Sequence, residues 1–94
     1  MRRAARIDAN QPSIVKALRE KGYSVAITSA LGHGFPDLVV AGGRSGQWLF
    51  EVKDPAQPTS KRALTEDEVK FMQNWLGLYA VILTADEAIA LLEA

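Results

Sequence analysis

Apolar residues recur along the chain with two spacings, which together predict its helices and strands. Ile14, Val15 and Leu18 lie at helical spacing, whereas residues 47–53 alternate as in a strand. The predicted elements are a helix from Asp8–Asn10 to Gly22, strands over 23–28, 36–41 and 47–53, a helix from Thr65 to Gly77, a strand over 79–83 and a helix from Thr84. This order, α-β-β-β-α-β-α, predicts an α/β fold in which helices flank a mixed β-sheet.

Capping and turn residues predict where these elements begin and end. Asp8 or Asn10 is expected to cap the first helix. Thr65 and Thr84 each precede a Glu by three residues, the spacing of a capping box. Residues 42–46 contain three glycines and predict the turn of an antiparallel hairpin.

Further predictions concern packing around the sheet. The apolar strand over 36–41 is expected to be central, the strand over 79–83 to be short and buried, and residues 54–63 to form a loop. The helix that begins at Thr65 carries an apolar stripe of Val69, Met72, Trp75 and Leu76. This stripe is predicted to face the core, and its Trp and Met are also candidates for contact with a second copy.

Length and composition favour one globular domain over residues 1–94, with residues 1–7 as a flexible basic arm. The chain has no cysteine, which excludes disulfides, zinc-thiolate sites and thiol nucleophiles. No apolar run approaches the roughly 20 residues of a membrane span, and the N-terminus lacks the apolar stretch of a signal peptide. We therefore expect a cytoplasmic protein.

Charge is distributed unevenly although the net charge is zero. Residues 1–25 carry a net +4, residues 26–62 a net +1, and residues 63–94 a net −5. This asymmetry fits a molecule with one face toward phosphates and another toward solvent or a partner. Chance distribution in a short chain is the alternative.

The strand over 47–53 places a carboxylate and an ammonium on one face. Because side chains alternate along a strand, Glu51 and Lys53 point away from the apolar face. Asp37 opens the preceding strand, and thirteen residues separate it from Glu51. A short hairpin is expected to bring both carboxylates to the same open end of the sheet.

Two neighbouring carboxylates repel each other unless a cation lies between them. Oxygen ligands select a hard ion, Mg²⁺ or Mn²⁺, and the backbone carbonyl of Val52 is a further candidate ligand. Such an ion activates water and polarises a phosphorus centre. Lys53 could orient or deprotonate that water, or hold the developing negative charge, and the sequence leaves these roles open.

Pro36-Asp37 followed by Glu51-Val52-Lys53 resembles the motif of the PD-(D/E)xK nuclease superfamily. The wider patterns over residues 34–39 and 50–55 resemble its VRR-NUC family more closely. The resemblance covers about residues 8–85, nearly the whole chain. Small single-domain members of that family occur in phages and bacteria.

The resemblance implies a restriction-endonuclease-like fold and Mg²⁺- or Mn²⁺-dependent hydrolysis of DNA phosphodiesters. It implies metal binding by Asp37, Glu51 and the Val52 carbonyl, with Lys53 catalytic. Stand-alone members are similar to homodimeric Holliday junction resolvases, which implies branched DNA as substrate and a second copy as partner. A paired cut on a junction needs two sites related by a two-fold axis.

The chain departs from the family pattern at two places. Relatives usually carry a metal-binding Glu in the first helix, whereas the nearest position here is Gln11. Gln11 is therefore either a metal-site residue or a helix-capping residue. Relatives often show Ser-x-x-Gln in the next helix, where this chain has Thr65 and Glu68; Glu68 is interpreted as a capping-box acid.

Basic side chains outside this motif are candidates for contact with nucleic acid. They are Arg2, Arg3, Arg6, His33, Lys61 and Arg62. The three N-terminal arginines could form a phosphate-binding arm or only a solubilising tail, and a single loop histidine is often just solvated. Asp54 is interpreted as a turn residue.

Three hypotheses follow from the sequence. The first is a metal-dependent endonuclease, specific for branched DNA, in which alanine at Asp37, Glu51 or Lys53 abolishes cleavage and leaves folding intact. The second is a non-catalytic nucleic-acid-binding module with a degenerate site. The third is a nuclease of the same fold that acts on flaps, duplexes or single strands. Divalent-ion binding separates the first two, and a comparison of substrates separates the third.

Overall fold

A four-stranded mixed sheet lies at the centre of the structure, a computed structural model that describes residues 7–94. The strands, in spatial order, are β1 (Ser24–Ile27), β2 (Leu38–Gly43), β3 (Gly46–Val52) and β4 (Tyr79–Ile82). The helices are α1 (Gln11–Glu20), α2 (Thr59–Arg62), α3 (Glu66–Asn74) and α4 (Ala85–Leu92), and a 3₁₀ turn covers Ser29–Leu31. β4 is parallel to β3, and the other neighbours are antiparallel. The predicted mixed α/β architecture is confirmed.

The hydrophobic core lies between one face of the sheet and helices α1 and α4. It consists of Ile14, Val15, Leu18, Leu38, Val40, Phe50, Val52, Ile82, Ala88 and Leu92. The alternating residues of β3 therefore face the opposite side of the sheet. Unlike an ordinary solvated face, this side buries Leu49 and Glu51, which are only 4% and 3% exposed.

The hairpin between β2 and β3 forms as predicted. Gly43 pairs with Gly46, so Arg44 and Ser45 make the turn, and the register shifts between Val40 and Gly43. β2 occupies a central position, which confirms that prediction. The hairpin sets which residues of the two strands lie side by side.

Two predictions about the segments after β3 were wrong. Residues 54–63 are not entirely loop, because Pro58 precedes the one-turn helix α2. β4 is not buried along its length, since it is an edge strand whose Val81 is 40% exposed. Ile82 alone of its residues is fully buried.

The apolar stripe predicted for α3 does not face the core. No α3 residue is buried, Trp75 is 42% exposed and Leu76 is 100% exposed. α1 and α4 already fill the core face of the sheet, so α3 packs elsewhere. Its Phe71 contacts aromatic rings instead, with centroids 5.2 Å from Phe35 and 6.2 Å from Tyr79.

The helix caps were predicted with mixed success. Asn10 occupies the N-cap position of α1, but its side chain makes no capping hydrogen bond. Its Nδ2 donates instead to the carbonyls of Lys53 and Leu83, each at 3.0 Å. The capping box at Thr65 is complete, whereas at Thr84 only the hydroxyl half forms.

The ends of two helices also bear on the predictions. Gly22 follows the end of α1 with φ of 97°, as expected for a helix-terminating glycine. α3 ends at Asn74, ahead of the predicted Gly77.

Within residues 7–94, no helix combines the length and the apolar character needed to cross a membrane.

Candidate active site

The two central strands bring Asp37 and Glu51 within electrostatic range of each other. Leu38 pairs with Phe50, and the same register continued by one residue sets Asp37 against Glu51. Asp37 Oδ2 also accepts the backbone N–H of Val52 at 2.8 Å. The predicted proximity of the two carboxylates is therefore built into the hairpin.

The loop that leads to Asp37 is held from two sides. The Thr28 N–H donates to the Asp37 carbonyl at 2.7 Å, and the Thr28 hydroxyl donates to the Pro36 carbonyl at 2.7 Å. On the other side, the backbone of Gly34 lies so close to α3 that an added Cβ would be 2.3 Å from the Asp67 carbonyl oxygen. Asp37 is thereby fixed relative to both the sheet and α3.

The Lys53 ammonium contacts two carboxylates. Its Nζ is 3.3 Å from Glu51 Oε2 and 3.0 Å from Glu68 Oε1. Lys53 is 8% exposed and follows the last residue of β3. Glu68 is thus more than the capping-box acid that the sequence predicts, because it also belongs to this cluster.

Burial and neighbouring charges shift the pKa values of the cluster residues in different directions. Burial, the charge on Asp37 and a hydrogen bond with Glu68 raise the pKa of Glu51 to about 9. Burial favours a higher pKa at Glu68 too, but the Thr65 N–H and Lys53 outweigh it and lower the pKa. Burial favours a lower pKa at Lys53, but the two carboxylates outweigh it and raise the pKa. Near neutral pH, Glu51 is protonated while Glu68 and Lys53 are charged.

Asp8, which the sequence treats only as a possible cap, is influenced by the charges of the cluster. Burial raises its pKa, the charge on Lys53 opposes this rise, and the charge on Asp37 adds to it. Asp8 is therefore within electrostatic range of the cluster. An acidic residue three positions before the first residue of α1 is the sequence signal that could have identified it.

Tyr79 also lies near the cluster and was missed by the sequence. Its partner in the β3–β4 register is Leu49, so it faces the same side of the sheet as Glu51. Burial, followed by the charges on Glu51 and Glu68, raises the pKa of Tyr79 to about 12. Nothing in the sequence distinguishes this tyrosine from an ordinary strand residue.

Gln11 is buried, with 2% exposure, but is not joined to the acidic cluster. Its Nε2 donates to Ser29 Oγ at 3.0 Å, while its Oε1 has no partner within residues 7–94. It lines an apolar groove of about 580 Å³ with Ile7 and Ile27, and none of the cluster carboxylates lines that groove. Its role as a metal ligand stays a prediction.

The acidic residues around Lys53 are not arranged as a multi-carboxylate metal site. Residues 7–94 contain no group of three or more His, Cys, Asp or Glu side chains that could hold a metal ion. The donor set nevertheless fits a hard cation held by two carboxylates, since burial and the charge on Asp37 raise the pKa of Glu51 and leave it a proton that relieves the repulsion between them. A bound cation would replace that proton.

The remaining predicted residues lie around this cluster. His33 is exposed and has a φ of 57°. It lines a pocket of about 330 Å³ together with Lys70 of α3 and Trp75, the C-cap residue of that helix. Exposed Lys61 lies in α2, and Arg62 lines a groove of about 510 Å³ that also contains Lys53. Arg2, Arg3 and Arg6 lie outside the residues that the structure describes. Asp54 accepts the Ala56 N–H at 2.9 Å, as expected of a turn residue.

The chain matches no protein-family model, no curated protein and no solved structure.

Proposed function

We propose that this chain is a divalent-metal-dependent endonuclease with a restriction-endonuclease-like fold that hydrolyses DNA phosphodiesters. One observation carries the proposal: the Asp37 carboxylate lies within electrostatic range of Glu51 at the end of the central hairpin, and the Lys53 ammonium lies 3.3 Å from Glu51. The hairpin thus brings together two potential metal ligands, Asp37 and Glu51, and an ammonium group, Lys53, that can contact phosphate.

Asp37, Glu51 and the Val52 carbonyl are the groups that would hold Mg²⁺ or Mn²⁺, because hard ions prefer oxygen ligands. Asp8 supplies further negative charge at the first helix, where Gln11 offers none. When bound, such an ion supplies Lewis-acid activation of the phosphodiester and of water. The raised pKa of Glu51 makes metal binding compete with a proton.

Lys53 acts on the negative charge of the phosphodiester in this proposal. The charges on Glu68 and Glu51 raise the pKa of Lys53 and outweigh the opposite effect of burial, so its side chain is an ammonium at neutral pH. An ammonium donates hydrogen bonds and stabilises developing charge, but it cannot accept a proton from water. Among the roles that the sequence leaves open, this favours charge stabilisation over general-base catalysis.

A branched DNA substrate and a homodimer belong to the same proposal. Trp75, Leu76 and Leu78 leave an apolar patch exposed after α3, and burial against a second copy would remove it from water. A two-fold dimer would present two sites to the two strands of a junction. We place this activity in the cytoplasm of a bacterial or phage-infected cell.

The experiment that tests the proposal compares substrates in Mg²⁺ and in Mn²⁺. Wild-type protein and the Lys53→Ala variant are incubated with a four-way junction, a flap, a linear duplex and a single strand. We expect metal-dependent cleavage by wild type alone, fastest on the junction. Faster cleavage of another substrate would favour the same-fold nuclease with a different target, and no cleavage of any substrate would contradict the proposal.

A non-catalytic nucleic-acid-binding module is the second candidate. Two observations favour it: no three-carboxylate metal group exists within residues 7–94, and uncharged Gln11, at the helix position where the resemblance implies a metal-binding Glu, bonds to Ser29 instead. Calorimetric titration with Mn²⁺ separates the candidates. Junction binding without any Mn²⁺ binding would support the module, whereas Mn²⁺ binding that Asp37→Asn removes would support the nuclease.

A further inference from the structure

The ion pair between Lys53 and Glu68 connects the end of β3 to the first turn of α3. It is the shorter of the two contacts of Lys53 Nζ, at 3.0 Å against 3.3 Å to Glu51. The side chains of Lys53 and Glu68 are 11% and 17% exposed. Little water therefore screens the pair, which makes it stronger than a surface ion pair.

The carboxylate of Glu68 is itself anchored to the backbone. Glu68 Oε1 accepts the Thr65 backbone N–H at 2.9 Å, and the Glu68 backbone N–H donates to the Thr65 hydroxyl at 3.2 Å. The oxygen that contacts Lys53 is thus the same oxygen that completes the capping box. The position of the ammonium is thereby tied to the N-terminus of α3.

The N-terminus of α3 is in turn fixed relative to Asp37. The Gly34 backbone packs against the Asp67 carbonyl, too closely for a side chain between them. Gly34 lies three residues before Asp37, whose backbone carbonyl accepts a hydrogen bond from the Thr28 N–H. The start of α3 therefore has a defined place beside both the loop that carries Asp37 and the strand that carries Glu51.

We infer that Glu68 is a positioning residue that holds the Lys53 ammonium in the site in addition to Glu51. A lysine side chain has many rotamers. Contact with Glu51 alone would leave the Lys53 ammonium loosely placed, because Glu51 is also a proposed metal ligand. Glu68 supplies a second contact to the ammonium, from a carboxylate that the Thr65 N–H holds in place. The consequence for catalysis rests on the proposed nuclease function, whereas the consequence for the position of Lys53 does not.

The position of Lys53 can be measured without any reaction. Lys53 is the only buried lysine among the five in the chain, so its ammonium protons should exchange slowly with water. ¹H–¹⁵N NMR of the lysine side chains in metal-free protein is expected to show one protected ammonium signal. Glu68→Ala should abolish it, and Glu68→Gln should restore it at least in part, because an amide oxygen still accepts from both donors.

Thr65→Ala is the matched control. It removes the hydroxyl half of the same capping box but leaves the Glu68 carboxylate for Lys53, so the protected signal should persist despite a lower melting temperature. A protected ammonium with unchanged exchange in Glu68→Ala would show that Glu51 holds Lys53 alone and would overturn the inference.

Single-turnover cleavage in Mn²⁺ provides the kinetic arm. Glu68→Ala should lower the cleavage rate constant roughly 10- to 100-fold, with DNA affinity nearly unchanged, and Thr65→Ala should cleave almost like wild type. If wild type cleaves and Glu68→Ala cleaves equally fast, the positioning role is wrong and the nuclease proposal stands. If wild type does not cleave but the ammonium signal disappears in Glu68→Ala, the nuclease proposal fails and the positioning role stands.

Discussion

Asp37 accepts the backbone N–H of Val52 through Oδ2, at 2.8 Å, across the two central strands. The charge on the same carboxylate raises the pKa of Glu51 further after burial has raised it, so the two carboxyl groups are within electrostatic range of each other. One side chain therefore contributes both to the structure of the hairpin and to the proposed metal site. This changes the expectation that alanine at this position would leave folding intact.

The two contributions of Asp37 can be separated by choice of substituent. Asp37→Ala leaves the Val52 N–H without its acceptor and should lower the free energy of unfolding by about 1–3 kcal/mol. Asp37→Asn keeps an oxygen acceptor and should stay close to wild type in stability. Both variants should lose Mn²⁺ binding. Urea denaturation and calorimetry measure the two effects, and equal stability of the Ala and Asn variants would contradict a structural role for this bond.

The pKa of Glu51 predicts how stability depends on pH in metal-free protein. This pKa rises from 4.5 to about 9 on folding, mainly because of burial. Between these values the folded state binds more protons than the unfolded state, so stability is highest below about pH 4.5 for this group and falls as pH rises toward 9. Glu51→Gln should flatten the decline and raise stability at pH 8 by roughly 1–3 kcal/mol. A wild-type protein as stable at pH 9 as at pH 5, in denaturation curves at several pH values, would contradict the assignment.

The hydrogen bonds of the Asn10 side chain predict an effect on the stability of the fold. Its Nδ2 donates to the carbonyls of Lys53 and Leu83, joining the ends of β3 and β4 to the start of α1. Asn10→Ala should destabilise the protein by about 1–3 kcal/mol, because two partly buried carbonyls lose their donor. Asn10→Ser is the control: serine is a good N-cap but too short to replace the amide. Full recovery of the unfolding free energy by serine would indicate that capping, and not the strand contact, is the role of Asn10.

Gly34 and Gly32 form a matched pair for the contact between the Asp37 loop and α3. Both have positive φ, 79° and 71°, so alanine strains the backbone at either position. Only at Gly34 would the added Cβ meet a neighbour, the Asp67 carbonyl oxygen at 2.3 Å. Gly34→Ala should therefore lower the melting temperature more than Gly32→Ala and should also reduce cleavage. Equal melting temperatures for the two variants would show that the contact is not needed.

The fold was predictable where local patterns decide it. The hairpin follows from the apolar run over 36–41, the alternation over 47–53 and the glycine turn between them, and the capping box at Thr65 follows from residue spacing. The stripe of α3 was misread because its spacing does not show that α1 and α4 already cover the core face. Burial of a helix depends on the other elements, which the pattern of that helix does not contain.

The site was predictable to a similar degree. The juxtaposition of Asp37 and Glu51 follows from strand pairing, which the sequence indicates well. Glu68 and Asp8 join the site from distant segments, through the packing of α3 and the path of the chain into α1. Their capping positions explain why the sequence offers a local role for each and conceals the tertiary one.

Cleavage of a four-way junction in Mn²⁺ by wild type, Glu51→Gln and Lys53→Ala, side by side, tests the central claim most directly. Glu51→Gln is nearly isosteric, so a loss of activity reports the missing metal ligand and not a change of shape. We predict cleavage by wild type that chelation abolishes, and a loss on the order of a hundred-fold or more in both variants. Wild-type cleavage rates in either variant, with intact folding shown by circular dichroism, would contradict the proposed site.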